Sequence, residues 1–78
     1  MSASSELDAA VDAFAAAMKK RLHSKQKQGF RGWQHMGRDA LGGRLLSNAA
    51  SGAINGDTKS LVDVANLAMM IYLSEDKQ

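Results

Sequence analysis

The sequence predicts an all-α protein: a compact three-helix domain that completes a helical bundle by homo-oligomerisation. Three observations carry this expectation. The 78 residues include no proline and few aromatic residues, and their alanine-rich segments favour helix over strand. Apolar residues recur at steps of three and four rather than two. There is no cysteine, so neither a disulfide nor a thiolate–metal staple supplements a core that is marginal at this length. Self-association is then the expected source of further burial.

The elements follow in order within one domain, residues 1–78. Helix 1 is expected over 6–24. Ser4 or Ser5 is suited to cap it, Glu6 and Asp8 favour the positive end of its dipole, and Lys19, Lys20 and Arg21 suit its negative end. Leu7, Val11, Phe14, Met18 and Leu22 form its apolar stripe, flanked by Ala10, Ala13 and Ala17. Residues 25–37, KQKQGFRGWQHMG, lack sustained periodicity and read as a basic Gly/aromatic loop with room for a short helical turn. Its Trp33 is expected to anchor the core, with base stacking or a cation–π contact as the competing role.

Helix 2 is expected over 38–54, with Leu41, Leu45, Ala49 and Ile54 near one face and Leu46, Ala50 and Ala53 widening it. Gly42, Gly43 and Gly52 oppose helix by up to about 1 kcal/mol each relative to alanine, unless they permit a close backbone approach. Asn55-Gly56 makes a turn, with Gly56 in the C-cap role. Helix 3 is expected over 57–73, capped by Asp57 or Thr58. Leu61, Val64, Ala65, Ala68, Met69 and Tyr72 share a broad face, and Val62 and Ile71 make the helix apolar nearly all round. Such a helix is buried on most sides. The tail SEDKQ is polar and expected to fray.

The formal charge is +2, but its distribution is uneven. Between Lys19 and Arg44 lie Lys20, Arg21, Lys25, Lys27, Arg31 and Arg38, opposed only by Asp39. Such a field favours phosphate-bearing partners, although a solvated helix face is the commoner meaning of a charge run. The polar, acidic start MSASSELD is unlike a signal peptide and no apolar run is long enough to span a bilayer, so a soluble, cytoplasmic protein without a membrane partner is expected.

Lys59, Asp63, Asn66 and Met70 fall on one stripe of helix 3. A carboxylate and an amide inside the most apolar helix need a reason. Asp63 can pair with Lys59 or receive Arg38 or Arg44, and a hydrogen-bond network that fixes helix register is the plain alternative to a ligand site. Asp63 is the only metal candidate, and one carboxylate does not hold Mg²⁺ well. His23 and His35 have no partner at zinc-ligand spacing. The chain has no nucleophile elbow and no Walker loop. Residue chemistry therefore gives no support for catalysis and implies no cofactor. The cations, glycines and aromatics of residues 25–44 are instead suited to hold phosphate or stack on a base.

The segments FAAAMKKRL, then GW after a basic stretch, then ALGGRLL and GDTKSLVDVANLAMMI resemble small phage-encoded MazG-like proteins, the all-α nucleotide pyrophosphohydrolases. The likeness covers about residues 14–72, and DVANLAMMI is its most specific part. In that family an EExxE helix and an ExxD motif bind Mg²⁺ around nucleotide phosphates. Here Asp63 matches the final aspartate alone, Ser60 stands at the glutamate of ExxD, and RLLSNAASGAI carries no carboxylate. The resemblance implies a scaffold that has lost its metal machinery, with Arg44 and Lys59 in place to neutralise phosphates.

The leading expectation is a non-catalytic, phage-type homo-oligomer, working in the host cytoplasm, that binds or sequesters a nucleotide or other small phosphate-bearing ligand, in the setting of a nucleotide-signalled host defence. Its candidate site residues are Arg31, Trp33, Arg38, Arg44, Lys59, Asp63 and Asn66. The alternatives are a residual Mg-dependent pyrophosphohydrolase, and a nucleic-acid binder or protein-interaction adaptor using residues 19–44.

Overall fold

A computed structural model describes residues 3–29 and 32–76. Phe30 and the candidate Arg31 lie outside the described residues. The described chain is all-helical: α1 (Ala3–Lys27), a 3-10 turn (Trp33–His35), α2 (Arg38–Asn55) and α3 (Thr58–Asp76), with no strand among the described residues.

α1 is longer at both ends than the sequence suggests. Ser4 and Ser5 lie inside it rather than capping it. At the other end it runs past Ser24 to Lys27, and Lys25 and Lys27 sit in its last turn, where cations favour the dipole. It closes at Gly29, whose φ of 99° is readily adopted only by glycine. The 3-10 turn follows, held by His35 N–H donating to the Gly32 carbonyl at 2.9 Å and Met36 N–H to that of Trp33 at 3.1 Å.

The α2–α3 hairpin is set by local chemistry. Gly56 takes a left-handed conformation at φ 74°, and its N–H donates to the Gly52 carbonyl at 3.2 Å. Asp57 then caps α3. Its Oδ1 accepts from Lys59 N–H at 3.1 Å and its Oδ2 from Ser60 Oγ at 2.9 Å. These hydrogen bonds, led by that from Ser60 and opposed in part by desolvation, hold the Asp57 carboxyl below its usual range. Gly52 lets the two helices close: a Cβ there would meet Leu61 Cδ2 at 2.7 Å. Gly42 and Gly43 have open space at that position and play no such part.

α3 is the element against which α1, α2 and the 3-10 turn all pack. The core is small: Leu41 from α2 with Leu67 and Met70 from α3, surrounded by half-buried Leu22, Trp33, Met36, Leu45, Met69 and Ile71. Trp33 does pack on this core. Leu61 and Tyr72, expected on the buried face of α3, are exposed because the helix turns its opposite face, that of Ser60, Asn66, Leu67 and Met70, to the body. Ile54 is 81% exposed. Thirteen residues after Leu41, it stands on the far side of α2 from the core at about 100° per residue.

α1 meets the body through its C-terminal half. Met18, Arg21, Leu22 and Lys25 engage α3, whereas residues 4–14 are exposed throughout. The apolar stripe of α1 is thus covered over one part of its length and bare over the other.

Candidate functional site

Where α1 crosses α3, two polar residues of α3 are drawn into bonds with it. The Arg21 guanidinium grips the Asp63 carboxylate in a fork, Nε to Oδ1 at 2.9 Å and Nη2 to Oδ2 at 3.2 Å. Lys25 Nζ stands 3.9 Å from Oδ2, one helical turn further along α1. The planar fork matches the carboxylate and fixes its plane as well as its charge. The Asp63 side chain is 12% exposed and that of Arg21 24%, so the pair is shielded from screening better than a surface bridge. The hydrogen bond to Asp63 raises the Arg21 pKa above its already high ordinary value, which keeps the cation charged at any working pH.

These partners differ from those expected. Lys59, Arg38 and Arg44 were the predicted mates of Asp63, yet the carboxylate turns towards α1. Arg21 approaches from a helix that lies across α3, which helical spacing within α3 does not reveal. The expected stripe of Lys59, Asp63, Asn66 and Met70 therefore divides among three environments: exposed, ion-paired and core.

Asn66 lies one turn from Asp63 and is 3% exposed. Its Nδ2 donates to the Met18 carbonyl of α1 at 3.3 Å. Its Oδ1 is buried and has no protein partner. A buried acceptor left unmade costs about 1–3 kcal/mol, so this atom calls for a donor from outside the chain.

The two residues line a cleft at the junction of the helices. Its walls are Leu22 and Lys25 from α1, Arg44 and Asn48 from α2, and Asp63, Asn66, Leu67 and Met70 from α3. The space within it is about 40 Å³, enough for water or one small polar group. Asn48 Nδ2 donates to the Arg44 carbonyl at 2.8 Å, which leaves the amide oxygen as its remaining acceptor.

The structure thus brings Arg44, Asp63 and Asn66 together and adds Lys25 and Asn48, which sequence reasoning missed. Lys25 sits three residues after Leu22 at the end of the α1 stripe, so a longer helix 1 would have placed it on this face. Trp33 instead faces a separate, open groove of about 480 Å³ with Lys19, Leu22, His23, Gln26, Gly32 and Gln34. Lys59 borders a third hollow with Ala17, Lys20, Arg21, Ser24 and Val62. Arg38 lines none of these three spaces.

The donor set does not fit Mg²⁺. Asp63 is the cleft's only carboxylate and both its oxygens face cations, where a hard divalent ion requires several oxygen ligands. No group of three or more His, Cys, Asp or Glu is placed to hold an ion among the described residues. No helix among them is long and apolar enough to cross a membrane. No protein-family model matches the chain, and no curated protein or solved structure matches it.

Proposed function

We propose that the chain binds and sequesters, without hydrolysing, a small phosphate-bearing ligand of nucleotide type at the Lys25–Arg44–Asn66 cleft, as a homo-oligomer. The observation that carries the reading is the buried, unpartnered Asn66 Oδ1 in a wall shared with two cations. An acceptor of this kind selects a group bearing an N–H or O–H, and the adjacent ammonium and guanidinium favour an anion beside it. A nucleotide carries both, in its exocyclic amine or ribose hydroxyl and its phosphates. The cleft admits only one such group, so the rest of the ligand lies at its mouth, where a neighbouring copy is positioned to complete the site. A scaffold of this kind suits the capture of a nucleotide signal, such as those used in host defence against phage.

Asp63 has a supporting part. Held by Arg21, it orients Lys25 along the cleft edge and does not act as a base or metal ligand. Titration calorimetry with ATP and with inorganic pyrophosphate, each without Mg²⁺, tests the reading. Binding is expected for at least one of them, weakened tenfold or more in Lys25→Ala and Arg44→Ala. Unchanged binding in both variants would remove the cleft from consideration. Mg²⁺-dependent release of pyrophosphate from a nucleotide, lost in Asp63→Ala, would replace sequestration with hydrolysis.

A second reading draws on the groove beside Trp33, where Lys19 and His23 adjoin a half-buried indole. Cations flanking an aromatic suit single-stranded nucleic acid. Its mark is an affinity that falls steeply with salt and is lost in Trp33→Ala.

A further inference from the structure

The exposed half of α1 has a clear chemical character. Leu7 is 66% exposed, Val11 64% and Phe14 43%, and they form one continuous stripe with the half-buried Met18 and Leu22. Ala10 and Ala17 border the stripe on one side and offer little bulk to an approaching helix. The acids Glu6, Asp8 and Asp12 stand on its flanks rather than on the seam, as the 100° step per residue requires.

Two global quantities say that the fold as a whole is short of burial. The chain exposes 5764 Å², whereas a self-contained protein of its mass exposes about 4,600 Å² by the scaling of surface with mass. Its radius of gyration is 13.8 Å, against about 11.5 Å for a domain of its length. The excess area is larger than the roughly 800 Å² per partner of an ordinary stable interface. Among the described residues only three hydrophobic side chains are buried, while eight large ones are exposed.

We infer that the Leu7–Val11–Phe14 face of α1 is the contact surface between two copies of this chain, paired antiparallel about a two-fold axis. The charge pattern selects this occupant. Glu6 and Asp8 flank the N-terminal end of the seam, and Lys19 and Lys20 follow it. Antiparallel alignment centred between Asp12 and Ala13 sets Val11 of one copy beside Phe14 of the other. It also brings the acidic first turns of each helix alongside Lys19 and Lys20 of the other. Parallel pairing would set acid against acid and base against base. An isologous contact of this kind closes on itself and leaves no open end. The inference rests on the self-association included in the functional reading, but not on the identity or existence of a ligand.

Light scattering on eluting wild-type protein, kept at concentrations of order 100 µM, tests it. The expected mass is twice the chain mass of 8.3 kDa, falling to one chain in the Leu7→Glu/Val11→Glu variant. Both residues lie outside the core, and circular dichroism verifies that the variant remains helical. A cysteine-free chain also permits a second measurement that does not depend on that variant. Val11→Cys is expected to cross-link to its own copy with a short bismaleimide, and Ile54→Cys is not. A monomeric wild type, a double variant that stays dimeric and folded, or equal cross-linking at the two positions would overturn the proposal. Calorimetry with pyrophosphate on the monomeric variant separates this outcome from the ligand reading: binding retained at lower affinity leaves the cleft standing whatever the mass shows.

Discussion

At the scale of single residues, the Asp63 pair shows how unequal two neighbouring cations can be. Arg21 makes both hydrogen bonds to the carboxylate, while Lys25 stands at 3.9 Å with its side chain 35% exposed. Arg21→Ala is therefore expected to destabilise the fold by about 1–3 kcal/mol, because it leaves a largely buried carboxylate without its fork. Lys25→Ala should cost no more than about 1 kcal/mol, as for an exposed ion pair. Urea unfolding of the two variants checks the difference, and equal losses would mean that the fork is not what holds α1 on α3. The sequence singled out Asp63 and Asn66 as polar residues that needed a reason, and the structure supplies partners for both from α1. It could not supply those partners, because Arg21 is 42 positions from Asp63 and reads as an ordinary cation of a helix C-terminal turn. Gly52 is a second case. Three glycines in α2 look alike in sequence, yet only Gly52 faces Leu61 closely enough to exclude a Cβ. Gly52→Ala should cost about 1–3 kcal/mol through overpacking, whereas Gly43→Ala should be neutral or stabilise by up to about 1 kcal/mol. Unfolding midpoints of the two variants decide it.

At the scale of elements, short-range chemistry was legible and long-range packing was not. The α2–α3 hairpin follows from Asn55-Gly56-Asp57: a left-handed glycine closes one helix and a carboxylate opens the next. The extent of α1 was less legible, since the basic segment after Ser24 lacks apolar periodicity while remaining compatible with helix. Which half of α1 is covered depends on where it crosses α3, and no local pattern encodes a crossing point. The cap on α3 carries a pH signature. The folded-state carboxyl of Asp57 titrates below its ordinary value of 3.8, so its contribution to stability is fully present above the unfolded-state pKa. That contribution is lost as pH falls through the depressed folded-state pKa. Asp57→Ala should therefore lower the Tm at about pH 6, and the gap to wild type should shrink at about pH 3 and below, as both states of the carboxyl approach full protonation. A gap that stayed constant across this range would show that the cap acts through backbone geometry and not through the ionised carboxylate.

At the scale of the whole molecule, a core with three buried apolar side chains among the described residues has no redundancy. Leu41 is wholly buried between α2 and α3, and Leu41→Ala should cost about 2–5 kcal/mol, a large share of the stability available to a chain of this length. If the bare half of α1 is covered by a second copy, folding is linked to association, and mass action raises the Tm as protein concentration rises. A self-contained monomer shows no such rise. Thermal unfolding followed by circular dichroism over a hundredfold range of concentration is expected to show an increasing Tm for wild type and a constant one for Leu7→Glu/Val11→Glu. The Leu41→Ala variant separates the two sources of stability. Its core is weakened while its α1 face is intact, so its Tm should be lower than that of wild type at every concentration yet retain the same upward slope. Loss of that slope would show that the dimer contact depends on the packing of α2 on α3 and not on the α1 stripe alone.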